Sequence, residues 1–243
     1  MSIEAKTGLV VVASHYESGG QRAEELMEAA VQSMKDRMVV PAVGSKTVWD
    51  AADAIDVCKE FKEQGVDSLT VILSTWVTDS LLYVLVHEMQ IPVVFWAVPY
   101  TETFSIGCVQ HFGSALTTHG IPYDYVYGLT NDKAAADKVA KIAEVGRIMK
   151  AVGNMKLALV GPRQTWRVAG PQDTPNEEGE FSEKFGVTLV HIEMEEIMEA
   201  AEKISDEEAK KVYTCLKKRT GKVLAEESSM LHMTKVYMSV KEA

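Results

Sequence analysis

Residues 69–113 read LTVILSTWVTDSLLYVLVHEMQIPVVFWAVPYTETFSIGCVQHFG, and the order of apolar and polar residues in this stretch decides the fold. Leu69 to Leu73 is a β-branched and apolar run that breaks off at Ser74-Thr75-Trp76. Leu81 to Val86 is apolar on nearly every side. Pro92 then opens a second apolar run, Val93 to Val98, which ends in Pro99-Tyr100-Thr101-Glu102. Two continuous apolar strands joined by a helix apolar all round describe a parallel sheet covered on both faces. In such sheets ligands sit beyond the carboxyl ends of the strands. Both strands end in polar and aromatic residues, so function is to be sought there.

The flanks extend the same alternation. Gly8 to Ser14 is expected as a first strand, with a loop from His15 to Gly20 and a helix from Gln21 to Arg37. Leu26, Ala30, Val31 and Met34 recur at helical spacing on its buried face. Met38 to Val43 is expected as a second strand, and Thr47 to Gln64 as a helix closed by Gly65. Cys58 falls on the apolar face of that helix and is expected in the core. After the two central strands come a helix from Cys108 to His119, a fifth strand from Tyr123 to Tyr127 and a long helix from Asn131 to Val152. The expected fold is α/β: a doubly wound, flavodoxin/Rossmann-like parallel sheet over residues 1–150.

Residues 151–243 are expected to begin a second α/β unit. Lys156 to Val160 and Val187 to Ile192 read as strands. Between them, Arg163 to Glu178 reads as a long polar loop before a short helix around Phe181 and Phe185. From Glu195 onward the chain reads as charged helix, with Val223, Met230, Met233, Tyr237 and Val240 on one face of the last one. Two parallel strands make a poor core by themselves. The unit is therefore expected to be incomplete, with its helices covering another surface or its remaining strands lying in a longer chain.

Composition narrows the function. Of the 243 residues, 47% are hydrophobic and 25% charged, and the net charge is −10. That acidity argues against a nucleic-acid surface and against anionic membrane. No run approaches the roughly 18 apolar residues of a membrane span. Cys58, Cys108 and Cys215 form no Cys-x-x-Cys pair, which reads as free thiols in the cytoplasm without structural zinc. The six His residues make no ligand set by spacing. The acidic runs read as solvated helix faces. No metal site is expected within these residues.

Several stretches, taken in order, resemble the L-fucose and L-arabinose isomerases, and most closely the fucose-isomerase-like branch. They are Ser74-Thr75-Trp76; Phe104-Ser105-Ile106-Gly107 leading to Gln110-His111-Phe112-Gly113-Ser114-Ala115-Leu116; Leu159-Val160-Gly161-Pro162-Arg163; and Phe185-Gly186-Val187 followed by Glu193-Met194-Glu195-Glu196. The resemblance spans nearly the whole chain and matches the N-terminal region of the family. It implies a metal-dependent aldose–ketose isomerase, usually using manganese, whose carboxylate and histidine ligands come from a later part of the chain than is present here. It also implies that this region supplies substrate contacts to a neighbouring subunit's active site. The partners implied are a small-molecule sugar, further copies in a homo-oligomer and a C-terminal catalytic portion. The chain alone is expected to be inactive.

The residues nominated for sugar contact are Trp76, Gln21, Arg22, Gln110, His111 and Arg163. Trp76 follows strand three, where an indole can stack on the C–H face of a sugar or pack against the following helix. Trp96 lies inside strand four and reads as core. Gln21 and Arg22 sit where the first loop meets its helix, a polar fork suited to hydroxyls or an ordinary helix start. Gln110 and His111 are expected to open the helix after strand four. Arg163, with Thr165, Trp166 and Arg167, belongs to the long loop. The rival reading is a non-catalytic sugar- or phosphate-binding α/β module, with Gly19-Gly20 cradling the phosphate. A flavodoxin-like FMN protein is a third possibility, opposed by the lack of a Ser/Thr-rich phosphate loop.

Overall fold

The computed structural model describes residues 4–161, 178–220 and 222–243. The chain divides into two compact units, Met1–Ala151 and Val152–Ala243. In the first, five parallel strands are ordered β2-β1-β3-β4-β5: β1 Lys6–Val12, β2 Val40–Val43, β3 Ser68–Leu73, β4 Val93–Ala97 and β5 Asp124–Tyr127. The helices are α1 Ala23–Lys35, α2 Ala51–Gln64, α3 Asp79–Met89, α4 Ser105–Thr118 and α5 Lys133–Gly153. This is the doubly wound α/β fold that the apolar strand runs imply.

Alternation along each strand feeds two cores. Val10, Val12, Val71, Leu73, Phe95 and Ala97 turn to one face and meet α2, α3 and α4. Leu9, Val11, Ile72, Val94 and Trp96 turn to the other and meet α1 and α5. Burial on both faces is why the strands read as unbroken apolar runs. The α3 helix is apolar nearly all round because it packs on the sheet beside α2 and belongs to the same core as α4. Cys58, Phe61 and Trp96 are fully buried. On α5, Gly146 approaches the chain entering β3 so closely that an added Cβ would lie 2.2 Å from the Asp67 carbonyl oxygen.

Several element starts differ from the periodicity, each for a local reason. The α2 helix begins at Ala51, because Val48 is extended and bridges Val12, and the Asp50 side chain accepts from the Asp53 amide as the helix cap. The α1 helix begins at Ala23, after a 3-10 turn over Gly20–Arg22. β2 begins at Val40, because Met38 turns the chain with φ 57°. The α4 helix begins at Ser105, well before Cys108. On the outer strand β2, the Val40 and Gly44 amides donate inward to Ala5 and Leu9 carbonyls at 2.8 and 3.0 Å. The alternate position, Pro41, therefore faces outward.

The second unit holds a two-stranded parallel sheet, β6 Lys156–Val160 with β7 Thr188–Ile192, and helices α6 Glu178–Phe185, α7 Met194–Glu202, α8 Asp206–Lys217 and α9 Glu227–Glu242. The α9 helix packs on α7 and α8, and Ser239 Oγ donates to the Ile197 carbonyl at 2.6 Å. Val223 precedes α9 rather than sharing its face. The face of α9 turned inward carries Thr234 and Ser239, while Met233, Tyr237 and Val240 stay exposed within the unit. Small hydroxyl residues let α9 come close enough for the backbone contact at Ile197. Among the described residues, no helix is long and apolar enough to cross a membrane.

Candidate functional site

β1 leads by α1 to β2 on one side, whereas β3 leads by α3 to β4 on the other. The connections therefore diverge between β1 and β3 and leave a crevice at the carboxyl edge, the ligand position of doubly wound sheets. Loops 13–19, 74–78 and 98–104 meet there. Ser74 Oγ donates to the Gly19 carbonyl at 2.7 Å, and the Ser14 amide donates to Thr75 Oγ1 at 2.8 Å. The Trp76 amide donates to the Thr103 carbonyl at 2.9 Å. Gly19 lies at the junction with φ 122°. A Cβ there would come within 2.6 Å of Thr103 Cγ2, 2.9 Å of Arg22 Nη1 and 3.0 Å of the Ser74 carbonyl oxygen. Only glycine combines that backbone angle with that crowding.

Arg22 projects into this junction. Its Nη2 donates to Glu102 Oε1, and its guanidinium carbon lies 4.0 Å from the centre of the Tyr100 ring. Its Nη1 is buried and has no hydrogen-bond partner among the described residues. The Glu102 carboxyl is held below its usual range, first by its own backbone amide and then by Arg22. Gln21 Oε1 accepts from the Gly19 amide at 3.1 Å, so part of its polar capacity is spent on the loop. His15 stacks on Trp49 at 4.2 Å, and the neighbouring Tyr16 is 97% exposed.

The six nominated residues separate into three groups. Trp76, Gln21 and Arg22 converge on the crevice. Trp76 is half-buried, one side against the core formed with α3 and α4. Gln110 and His111 do not open α4, as the apolar pattern suggested. The Ser105 hydroxyl, which accepts from the Val98 amide and donates to the Leu73 carbonyl, draws the helix start back to residue 105. They fall in its second turn, where Gln110 is exposed and His111 Nε2 stands 3.1 Å from Asp79 Oδ2 at the start of α3. Arg163 lies outside the described residues, as do Thr165, Trp166 and Arg167.

Tyr100, Glu102 and Ser74 are the site residues the sequence alone did not nominate. The available signal was their position at the polar ends of β3 and β4. No family model matches the chain, and no curated protein matches it.

Two other features bear on the chemistry. Burial raises the Cys108 thiol to about 11, and its Sγ donates to the Val77 carbonyl, so it is no nucleophile at neutral pH. Among the described residues, no three His, Cys, Asp or Glu side chains stand together as metal ligands. Glu102 is engaged by Arg22, and Asp79 with His111 supplies only two donors. These residues do not fit a manganese ion. A hollow of about 700 Å³ lies at the opposite, amino edge of β4 and β5, lined by Tyr83, Val86, Ile121, Tyr123, Val145 and Met149. Its walls are mostly apolar, with His87, Gln90 and Asp124 among the lining, whereas Arg22, Tyr100 and Glu102 interlock at the carboxyl edge, so the crevice is the better candidate for chemistry.

Proposed function

We propose that residues 1–151 carry a sugar-binding site at the carboxyl edge of the sheet, serving as the substrate-contact part of an aldose–ketose isomerase. The carrying observation is the convergence of Arg22, Tyr100 and Glu102 with the Trp76 loop over the β1/β3 crevice. Arginine and amide groups suit hydroxyl oxygens, and an indole beside them suits the C–H face of a sugar ring. Glu102 cancels the Arg22 charge, and Glu24 and Glu25 occupy the first turn of α1. Both facts favour a neutral polyol over a phosphorylated ligand. Gly19 does not act as a free phosphate donor, since its amide already donates to Gln21. In this reading the manganese ligands belong to a C-terminal catalytic portion, the chain works as a homo-oligomer in the cytoplasm, and no proton-transfer step is assigned to the residues described.

The test is calorimetric titration of the chain with a panel of free aldoses and ketoses. Saturable binding of at least one sugar is expected, and Trp76→Ala should weaken it about fivefold, the equivalent of roughly 1 kcal/mol for one aromatic contact. Trp76 is half-buried, so its removal should cost about 1–2 kcal/mol of stability, less than a core tryptophan. Unchanged affinity in a folded Trp76→Ala variant would remove the indole from the site. No binding by any sugar tested would remove the reading itself.

A further inference from the structure

The carboxyl-edge crevice contains a donor that no ligand can reach as the chain stands. Arg22 Nη1 has no accessible surface and no partner among the described residues. It lies near Gly19, in the junction where that glycine also meets Thr103 and the Ser74 carbonyl. A buried donor left without an acceptor is unfavourable, and guanidinium donors are costly to leave in that state. On the outer side, Glu102 and Tyr100 hold the same guanidinium by an ion pair and a stacked ring.

The segment carrying those two residues is a short exposed turn held between anchors. It is fixed at both ends: the Val98 amide donates to Ser105 Oγ at 3.0 Å, and Ser105 Oγ donates to the Leu73 carbonyl at 2.8 Å. Thr103 is buried and tied to Trp76 through its carbonyl. Phe104 has a left-handed φ of 49°, uncommon for an aromatic residue, and its ring lies over Gly107. Between these anchors Pro99, Thr101 and Glu102 are exposed, and the turn is closed by the Thr103 amide and hydroxyl, which both donate to the Tyr100 carbonyl.

We propose that the Tyr100–Glu102 turn is a latch on the sugar site: Glu102 occupies Arg22 in the free protein, and a ligand's hydroxyl oxygens displace it to reach the guanidinium. The inference rests on the sugar-site reading for the identity of the ligand, and on the geometry alone for the latch. Closure leaves the guanidinium only partly satisfied, since Nη1 has no partner among the described residues, and displacement of Glu102 frees Nη2 for a ligand oxygen. The exposed ion pair is weak enough for small oxygen ligands to compete with it.

The experiment compares amide hydrogen exchange and aldose titration in the wild-type chain and in Glu102→Gln, a surface change that keeps the side chain's shape. Loss of the ion pair should speed exchange at the Thr103 amide, which closes the turn, about two- to fivefold, leaving the anchoring Trp76 amide and the amides of β3 and β4 unchanged. Any aldose that binds the wild type should bind Glu102→Gln about two- to fivefold tighter, because a competitor for Arg22 is weakened. Unchanged exchange in the turn would overturn the latch. So would weaker aldose binding by Glu102→Gln, which would make Glu102 a ligand contact. Faster exchange with no aldose bound by either form keeps the latch and overturns only the sugar reading.

Discussion

Trp96→Ala should lower the stability of the first unit by about 3–5 kcal/mol, the usual cost of truncating a fully buried large aromatic. Trp96 is the largest side chain with no exposed surface among the described residues, set on β4 in the core shared with α1 and α5. Its indole N–H donates to the Gly128 carbonyl at 3.1 Å, just beyond β5. The alanine variant opens a cavity and leaves that carbonyl short of a donor, so two penalties act in the same direction. Trp96→Phe keeps most of the volume and loses the hydrogen bond, and should fall between the two. Urea unfolding followed by far-ultraviolet circular dichroism reads the effect as a lower midpoint. A midpoint equal to wild type would refute the packing described for this face. The comparison with Trp76→Ala matters more than either value. Two tryptophans separated by one strand crossover should divide, one reporting on stability and the other on ligand affinity.

Gly146→Ala should cost about 2–3 kcal/mol, against the ordinary rule for helices. In an exposed helix interior, replacing glycine with alanine is stabilising by about 0.8–1 kcal/mol. Here the new methyl would lie 2.2 Å from the Asp67 carbonyl oxygen and 3.3 Å from Ser68 Cβ. The obstacle is backbone entering β3, so it cannot rotate away, and overpacking of this kind typically costs 1–3 kcal/mol. The Asp67 side chain accepts from the Lys6 amide at 2.9 Å and from the Lys150 ammonium at 3.1 Å, tying β1, β3 and α5 at this point. Shifting α5 to admit the methyl would strain both contacts. A stabilised Gly146→Ala variant would mean that α5 stands farther from the sheet than described.

Most of the first unit was legible because its strands are buried on both faces. Leu69–Leu73 and Val93–Ala97 announce themselves by composition, with no need for partners to be known. Helix starts were less legible, since they depend on what the preceding loop does. Val48 looks like a helix residue by spacing but is held extended by Val12, across the sheet, and Ser105 starts α4 because its hydroxyl is bound to Leu73 and Val98. The same non-local effect limits the site. Trp76 and Arg22 were legible as polar or aromatic residues at loop ends. Glu102 acquires its role only from Arg22, far away in sequence, and His111 is turned toward Asp79 by the packing of α4 on α3. Pairings of that range leave no periodic trace in one sequence.

The outer strands also bear on how copies of this protein meet. Strand β2 turns Pro41 outward, where an incoming strand would need an amide donor. At the opposite border, Lys138 donates to the Tyr125 carbonyl at 2.9 Å, and its ammonium also lies 5.6 Å from the Tyr125 ring centre. One margin thus lacks a donor at Pro41, and the other has the Tyr125 acceptor already occupied by the Lys138 ammonium. Both devices discourage the edge-to-edge strand addition from which fibrous aggregates grow. Crowded solutions of the protein should therefore resist cross-β growth at these borders, and any specific association of the first unit would proceed through its helical surfaces.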